Sequence, residues 1–318
     1  MDDERRRYFE MFCGVAKQAL EAPAAAHGRG IVTCGSLRFT PFLWFLVRSL
    51  RHHGCALPIE LWHTEGEVNE ELRRLLEPHG VMFRDADRSW SGGRSSMRRY
   101  AIKSYALVHS AFREVLFLDA DNCVYRDPTF LFDTHEFHER RAVFWPDRHA
   151  QSGGDELRRD FGVTPGGIEF ESGQIVIDRI DCWHELALTL HLNEHSHYYY
   201  RFFFGDKETF RLAFDYLRRP YALVPRAPIW DQQAPGFVQH WFDGQPLFHH
   251  RVSWEKWTIV PISMRGIDLP ALPPEVVAAL TAELRLRWAR VMPLRERFRF
   301  RMKAAERWAR ERMKWRPR

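Results

Sequence analysis

Cysteine is scarce in this sequence. The 318 residues hold five, Cys13, Cys34, Cys55, Cys123 and Cys182, an odd number, widely spread and without a C-x-x-C pair. That pattern excludes a disulfide framework and the close ligand spacing of structural zinc modules, and the expectation is a reducing compartment. Long apolar runs are missing too. Thr40 to Val47 is the longest of note, far short of the roughly 20 residues that span a bilayer. The opening Met1-Asp2-Asp3-Glu4-Arg5-Arg6-Arg7 leads into no apolar h-region, so a secretory signal is not expected and the protein is placed in the cytoplasm. No internal repeat is present.

What the chain does contain is enough apolar material for a core. Apolar residues make up 45%, charged residues 28% and aromatics 14%, a balance that belongs to a folded protein and not to a disordered chain or a membrane bundle. The length suits two domains or one large α/β domain with insertions. The net charge of +5 is unevenly placed: residues 284–318 carry +11 and residues 1–283 carry −6. The basic character therefore belongs to the C-terminal end. With an acidic body and no reading motif, nucleic-acid binding is not expected.

Along the chain, short β-rich runs alternate with helical stretches. Gly30 to Cys34 reads as a strand and Pro41 to Arg51 as a packed helix, followed by a strand at Leu57 to His63. A helix opens at Asn69 and stops at Pro78-His79-Gly80, and a third strand begins at Val81. After the loop Ser91 to Ser96 come a helix over Tyr100 to Phe112 and a buried strand, Val115-Leu116-Phe117-Leu118. A second glycine loop, Thr164 to Gly167, precedes a strand over Ile168 to Asp178. Strands spaced by helices predict an α/β fold with a mostly parallel, Rossmann-like sheet and right-handed crossovers. The division expected is an N-terminal helical segment over 1–28, a catalytic domain over 29–265 and a basic amphipathic helical tail over 266–318.

The buried strand ends on Asp119-Ala120-Asp121. Ligands of open α/β sheets bind outside the carboxyl ends of strands, and two carboxylates there suit a hard divalent cation bridging to phosphate oxygens. An acidic turn that caps a helix is the plainer alternative. By the same reasoning the end of the first strand, Thr33, Cys34 and Gly35, is where a donor nucleoside would rest.

The segment Arg99-Tyr100-Ala101-Ile102-Lys103-Ser104-Tyr105-Ala106-Leu107, followed by Glu114-Val115-Leu116-Phe117-Leu118-Asp119-Ala120-Asp121-Asn122, resembles retaining glycosyltransferases of the GT-A fold. Among them it is most similar to the fungal α-mannosyltransferase group, glycosyltransferase family 71, with likeness to family 8 transferases. Further blocks support this: Asp127 to Phe132, Glu171-Ser172-Gly173-Gln174, Gly205 to Phe210, and Phe248 to Trp257. The likeness covers about residues 30–257.

The resemblance implies a metal-dependent transfer of a hexose, mannose in the fungal group, from a nucleotide diphosphate sugar to a glycan or glycolipid acceptor. The donor is GDP-mannose or a UDP-hexose, and the metal Mn²⁺ or Mg²⁺. Asp119 and Asp121 match the metal-binding pair. His250, six residues before Lys256, matches the spacing of a third metal ligand and a phosphate-binding lysine, with His249 one position out. Lys103 falls where relatives place a basic residue near the nucleotide phosphates, and Gln174 joins the donor-contacting set. Glu171 and Asp206 are the candidate catalytic carboxylates. Glu171 stands where other retaining GT-A families carry Asn, which leaves the choice between a nucleophile and a front-face path open. Asp206 also reads as a helix N-cap, and Lys103 as a solvated helix lysine.

Two stretches carry further readings. His191, His195 and His197, with the rings of 198–200 and 202–204, read first as packing, with a metal or stacking site as the alternative. From Arg285 onward, Phe298, Met302, Ala305, Trp308 and Trp315 recur amid Arg and Lys, which suits an anionic membrane surface or a stripe packed on the body. A peripheral position on the inner membrane face is the corresponding expectation. A phosphoaspartyl hydrolase of the haloacid dehalogenase type, because Leu-Asp-x-Asp follows a buried strand, and a non-catalytic sugar-binding protein are the competing functions.

Overall fold

Four short aliphatic runs, each too short to bury itself, line up side by side to form one half of the central sheet. The structure is a computed structural model that describes residues 2–18, 26–88, 101–150, 154–251 and 269–292. Its first helix, α1 (Asp3–Lys17), precedes β1 (Arg29–Cys34), α2 (Thr40–His52), β2 (Ile59–His63), α3 (Glu70–Leu76) and β3 (Val81–Asp85). Then come α4 (Ala101–His109), β4 (Glu114–Leu118), β5 (Asn122–Val124), α5 (His135–Arg140), β6 (Ala142–Ala150), α6 (Asp155–Asp160) and β7 (Ile168–Asp178). The remainder is α7 (Trp183–Glu194), α8 (Ser196–Tyr199), α9 (Lys207–Tyr216), β8 (Ala222–Leu223), β9 (Ile229–Asp231), β10 (Gly236–His240), β11 (Pro246–His250) and α10 (Pro274–Val291).

The large sheet has the order β3-β2-β1-β4-β7-β6-β8. It is parallel from β3 to β4 and antiparallel at β4–β7 and β7–β6. The α/β expectation therefore holds, with a mixed sheet. A second, antiparallel sheet of order β5-β11-β10-β9 has no counterpart in the sequence reading. The parallel strands are near-continuous aliphatic runs because helices cover both faces. Ile31, Val32, Ile59, Leu61 and Val115 to Leu118 are all fully buried.

Local chemistry sets the ends of the helices. α2 starts with proline in its first turn, where the missing N–H costs nothing. Asn69 caps α3 by accepting from the Leu72 N–H. Gly80, at φ 76°, closes the turn after α3 in the left-handed region that favours glycine.

α10 departs from the expected tail. Its Val277, Leu280, Leu284 and Val291 join the main core. The Trp44 indole N–H donates to the Leu280 carbonyl at 3.0 Å, the Asn69 amide to the Val291 carbonyl at 2.9 Å, and Arg48 pairs with Glu283 at 3.0 Å. Residues 269–292 are thus part of the body, because the apolar face of this helix covers α2 and α3. A cut after Leu284 would remove buried Val291 and Met292, each worth about 1.5–3 kcal/mol of burial. The basic residues beyond 292, with Phe298, Met302, Ala305, Trp308 and Trp315, lie outside the described residues. Among the described residues no helix is long and apolar enough to cross a membrane.

Candidate active site

Strand pairing, more than local sequence, assembles the site. β4 delivers Asp119 at its carboxyl end, and the chain turns through Ala120 and Asp121 into β5 in the second sheet. β5 pairs antiparallel with β11 so that Asn122 faces His250 in register, which brings His250 beside Asp121. His250 Nε2 lies 3.3 Å from Asp121 Oδ1 and 3.9 Å from Asp119 Oδ2. Successive side chains on a strand point to opposite faces. His249 accordingly faces away, and one of its ring nitrogens lies 2.9 Å from the Ala234 carbonyl.

β7 supplies the opposite wall. Next to β4 it stays in register, Leu118 opposite Gln174, and the Asp119 N–H donates to the Gly173 carbonyl at 2.8 Å. Next to β6, Trp145 pairs with Glu171 and Phe144 with Ile175, so Ser172, Gly173 and Gln174 form an inserted bulge. Bulges re-aim side chains beside functional sites. This one places Glu171 Oε1 3.7 Å from His250 Nδ1 and presents Ser172 to the acidic group. Gly173 has a steric reason to be glycine, since an added Cβ would lie 2.3 Å from the His250 ring.

Lys103, on α4, is buried and not solvated. Its ammonium donates to Ser172 Oγ at 2.9 Å and to the Ser172 carbonyl at 2.8 Å. It also lies 2.9 Å from Asp206 Oδ2 and 3.3 Å from Asp119. Burial by itself would lower the lysine's pKa, but Asp119 and Asp206 outweigh it and raise the pKa strongly. Asp206 precedes α9 yet makes no capping bond with its side chain. Its carboxylate instead accepts from Ser172 Oγ at 3.1 Å, which departs from the N-cap alternative.

The charges of this group bias one another's protonation. Enclosure raises the pKa of the Asp119 carboxyl, Lys103 opposes this, and Asp121 adds to it. Burial would lower the pKa of His250, but the surrounding carboxylates, Asp121 first, raise it. For His249 burial outweighs the Ala234 carbonyl and the lone carboxylate of Asp231 and takes it down to about 4.

Asp119, Asp121 and His250 each present one ligand atom, all within 4.8 Å of one another. Two carboxylate oxygens and one imidazole nitrogen suit Mn²⁺ better than Mg²⁺, which favours an all-oxygen shell. At the end of β1, Cys34 is an electrostatic neighbour of Asp119, Lys103 and Asp206 and so borders the site, while a Cβ on Gly35 would point at Leu43 of α2.

One residue of the sequence-derived set falls elsewhere. Gln174 is fully buried in β7, between β4 and β6, and its amide has no hydrogen-bond partner among the described residues. Packed in this way it offers no surface to a donor. Lys256 lies outside the described residues.

The structure also adds residues. Lys207 is ion-paired with Asp147, and Phe204, 82% exposed, stands beside it with Lys207 Nζ 5.8 Å from the ring centroid. Its neighbours Tyr198, Tyr199 and Phe203 pack in a satellite core with Phe12 and Phe161, as the packing reading expects. Asn122 donates to the Gly173 carbonyl at 2.8 Å, tying the two sheets together. The Asp147–Lys207 pair spans 60 residues, and no local signal marks it.

A mixed sheet with an acidic pair at the end of its central parallel strand, answered by a histidine from a second small sheet, is the arrangement of a GT-A glycosyltransferase. The galactosyltransferase LgtC, solved with donor and acceptor sugar analogues, superposes with a TM-score of 0.52 at 16% identity, over 81% of this chain and 99% of LgtC. The chain belongs to the family described as "Mannosyltransferase putative", whose profile matches residues 28–156 and 155–235. Curated relatives include the α-1,2-mannosyltransferase MNN5 of Saccharomyces cerevisiae, 24% identical over 61% of this chain and 44% of its own length. Another is MNN2 of Candida albicans, 25% identical over 70% of this chain and 46% of its own length. The chain spans about half the length of these relatives. The family match leaves the phosphoaspartyl hydrolase reading without support.

Proposed function

We propose that this chain is a metal-dependent, retaining mannosyltransferase that moves mannose from a nucleoside diphosphate donor, GDP-mannose in preference to a UDP-hexose, onto a hydroxyl of a glycan or glycolipid. The observation that carries the reading is the convergence of Asp119, Asp121 and His250 within 4.8 Å beside a buried lysine.

Asp119, Asp121 and His250 would hold the divalent cation, which when bound supplies positive charge to the diphosphate as it leaves. Lys103 opposes the rise that burial imposes on the Asp119 carboxyl and holds Asp119 and Asp206 in place, so little reorganisation is needed when charge develops. In the transfer the anomeric C–O bond to the diphosphate breaks and its electron pair goes to the diphosphate. A bond forms from the acceptor oxygen to the same carbon, and the acceptor proton must be taken up. Asp206 is occupied by Lys103 and Ser172, and Glu171 by the Gly173 N–H at 3.0 Å. The engagement of Asp206 by Lys103 and Ser172 disfavours it as a nucleophile, which leaves Glu171, or a front-face path with the leaving diphosphate as the base. Exposed Phe204, two residues before Asp206, offers a ring on which an acceptor sugar can stack. The positive charge of residues 284–318 supports an anionic membrane surface as the place where a lipid-linked acceptor is met.

The test measures thermal stability and slow donor hydrolysis with Mn²⁺ and a panel of GDP- and UDP-sugars. GDP-mannose should raise the melting temperature only when Mn²⁺ is present, and Asp119→Asn or Asp121→Asn should abolish that rise and cut transfer by about 100- to 1,000-fold. Full transfer in both variants would overturn the metal assignment, and preference for a UDP-hexose would overturn the donor.

A further inference from the structure

A second histidine–carboxylate cluster lies outside the donor site. It is formed by His191 and Glu194 at the end of α7 and by His195, the residue that caps that helix. In sequence it reads His-Leu-Asn-Glu-His, which puts the two imidazoles four residues apart on one face of the helix with the carboxylate beside them. The rings of His191 and His195 are tilted to each other at a centroid distance of 4.4 Å. One ligand atom from each of the three residues lies within 4.8 Å of the other two.

The nitrogen inventory points to a ligand. His195 Nδ1 lies 2.9 Å from the His191 carbonyl. That carbonyl can only accept, so Nδ1 carries the proton and Nε2 keeps its lone pair, the orientation that metal-binding histidines take when the other nitrogen is held by a carbonyl. The His191 side chain is only 6% exposed, and its Nε2 is buried with no hydrogen-bond partner among the described residues. A buried polar atom left without a partner is costly and calls for an explanation. His197 is differently engaged, its Nε2 being 2.7 Å from the Tyr8 hydroxyl. The carboxyl end of a 12-residue helix adds partial negative charge at the same point.

We infer that His191, Glu194 and His195 form a second metal site, selective for a transition ion of the Zn²⁺ class. Two imidazoles and one carboxylate are a recurrent zinc donor set, with further positions left to solvent. Tetrahedral ligands at about 2.0–2.1 Å sit about 3.3 Å apart, so side-chain rotation has to close the group by about 1 Å. The ion would pin the α7–α8 corner on which α1 docks, because Tyr8 stacks on Tyr198 at 3.8 Å and meets the His195 ring edge-on at 6.0 Å. The site shares no residue with the Asp119 centre, which holds one imidazole and two carboxylates and favours a harder ion.

The experiment uses the full chain, stripped with a chelator and titrated with Zn²⁺ alone against a chromophoric competitor. It is run in the Asp121→Asn background so that the donor site does not contribute. One equivalent should bind with a micromolar or tighter Kd and raise the melting temperature. His195→Ala should weaken that binding at least 30-fold, and Glu194→Gln about tenfold. Absence of tight binding in the Asp121→Asn chain, or unchanged binding in both further variants, overturns the site. Should His195→Ala fail to fold, Co²⁺ loaded into the Asp121→Asn chain decides the matter. Visible absorption of a four- or five-coordinate nitrogen–oxygen site supports the assignment, and the spectrum of free aqueous Co²⁺ overturns it.

Discussion

Asp119, Asp121 and His250 come from the end of β4, the turn after it and the end of β11, whereas His191, Glu194 and His195 come from a single turn at the end of α7. The first cluster exists only because β5, which follows β4 directly, pairs in register with β11 in the second sheet. The second needs nothing beyond the helix and its cap. Their proton chemistry is opposite as well. His250, facing three carboxylates, is held toward its charged form, while His191, facing another imidazole in a dry setting, is held neutral. A site gathered from distant strands can be ringed with charge of one sign because Lys103 is brought in to balance it. A site on one helical turn has no such reach and draws on two imidazoles and a single carboxylate.

The largest effect expected from breaking the first cluster without touching a ligand is that of Gly173→Ala. The new methyl meets the His250 ring at 2.3 Å, and a ligand displaced by about 1 Å costs about 100-fold in rate. Turnover with Mn²⁺ and donor should fall by that order while zinc binding at the α7 cluster is unchanged. Wild-type turnover in this variant would mean that His250 does not serve the reaction.

Smaller in scope is the contrast within one strand. His250→Ala should lose metal-dependent turnover with little change in melting temperature. His249→Ala, which removes a buried ring packed against the Ala234 carbonyl, should keep turnover within about threefold and lose about 2 kcal/mol of stability. Parallel denaturation and kinetic measurements separate the two, and equal kinetic losses would remove the distinction.

The mildest expectation concerns Glu208, on α9 between the two clusters. It is fully buried, it accepts from the Gly205 N–H at 3.2 Å, and burial raises its pKa from about 4.5 to about 7. The folded state therefore keeps a proton that the unfolded chain has released. Stability falls as pH rises from about 4.5 to about 7 and is level above that, at a cost of up to about 3 kcal/mol. Glu208→Gln should be more stable than the parent at pH 8, and the advantage should vanish near pH 4.5. A difference independent of pH would show that the carboxyl is ionised in the folded protein.

Much of the parallel half was readable in sequence. The runs at 30–34, 57–63, 81–83 and 115–118 are aliphatic, the helices between them have caps or prolines at their ends, and Asp119 and Asp121 follow directly from a buried strand. The second sheet was not readable. β9, at Ile229–Asp231, and its neighbours β10 and β11 are short, and what makes them strands is pairing with one another and, for β11, with β5 more than 100 residues earlier. Lys103 was ambiguous for the same reason, since three remote segments bury it. The bulge at Ser172 to Gln174 exists only in the offset between β6 and β7, so no local pattern signals that Gln174 is enclosed while Glu171 faces the site. At the other end, the arginine-rich stretch beginning at Arg285 read equally as a membrane-facing amphipathic helix or as a stripe packed on the body. Its first turns belong to a helix whose other face completes the core.

The order in which the parts of the donor site leave the ribosome gives Lys103 a second significance. It is made 16 residues before Asp119, while His250 follows 131 residues after Asp119. At roughly 5–20 residues per second that interval is on the order of ten seconds. During it the growing chain already contains the acidic pair and not yet the histidine that completes the group. A cation built into the preceding helix is present from the start, so the carboxylates have a partner throughout synthesis and the nascent sheet has no need to wait for an ion from solution.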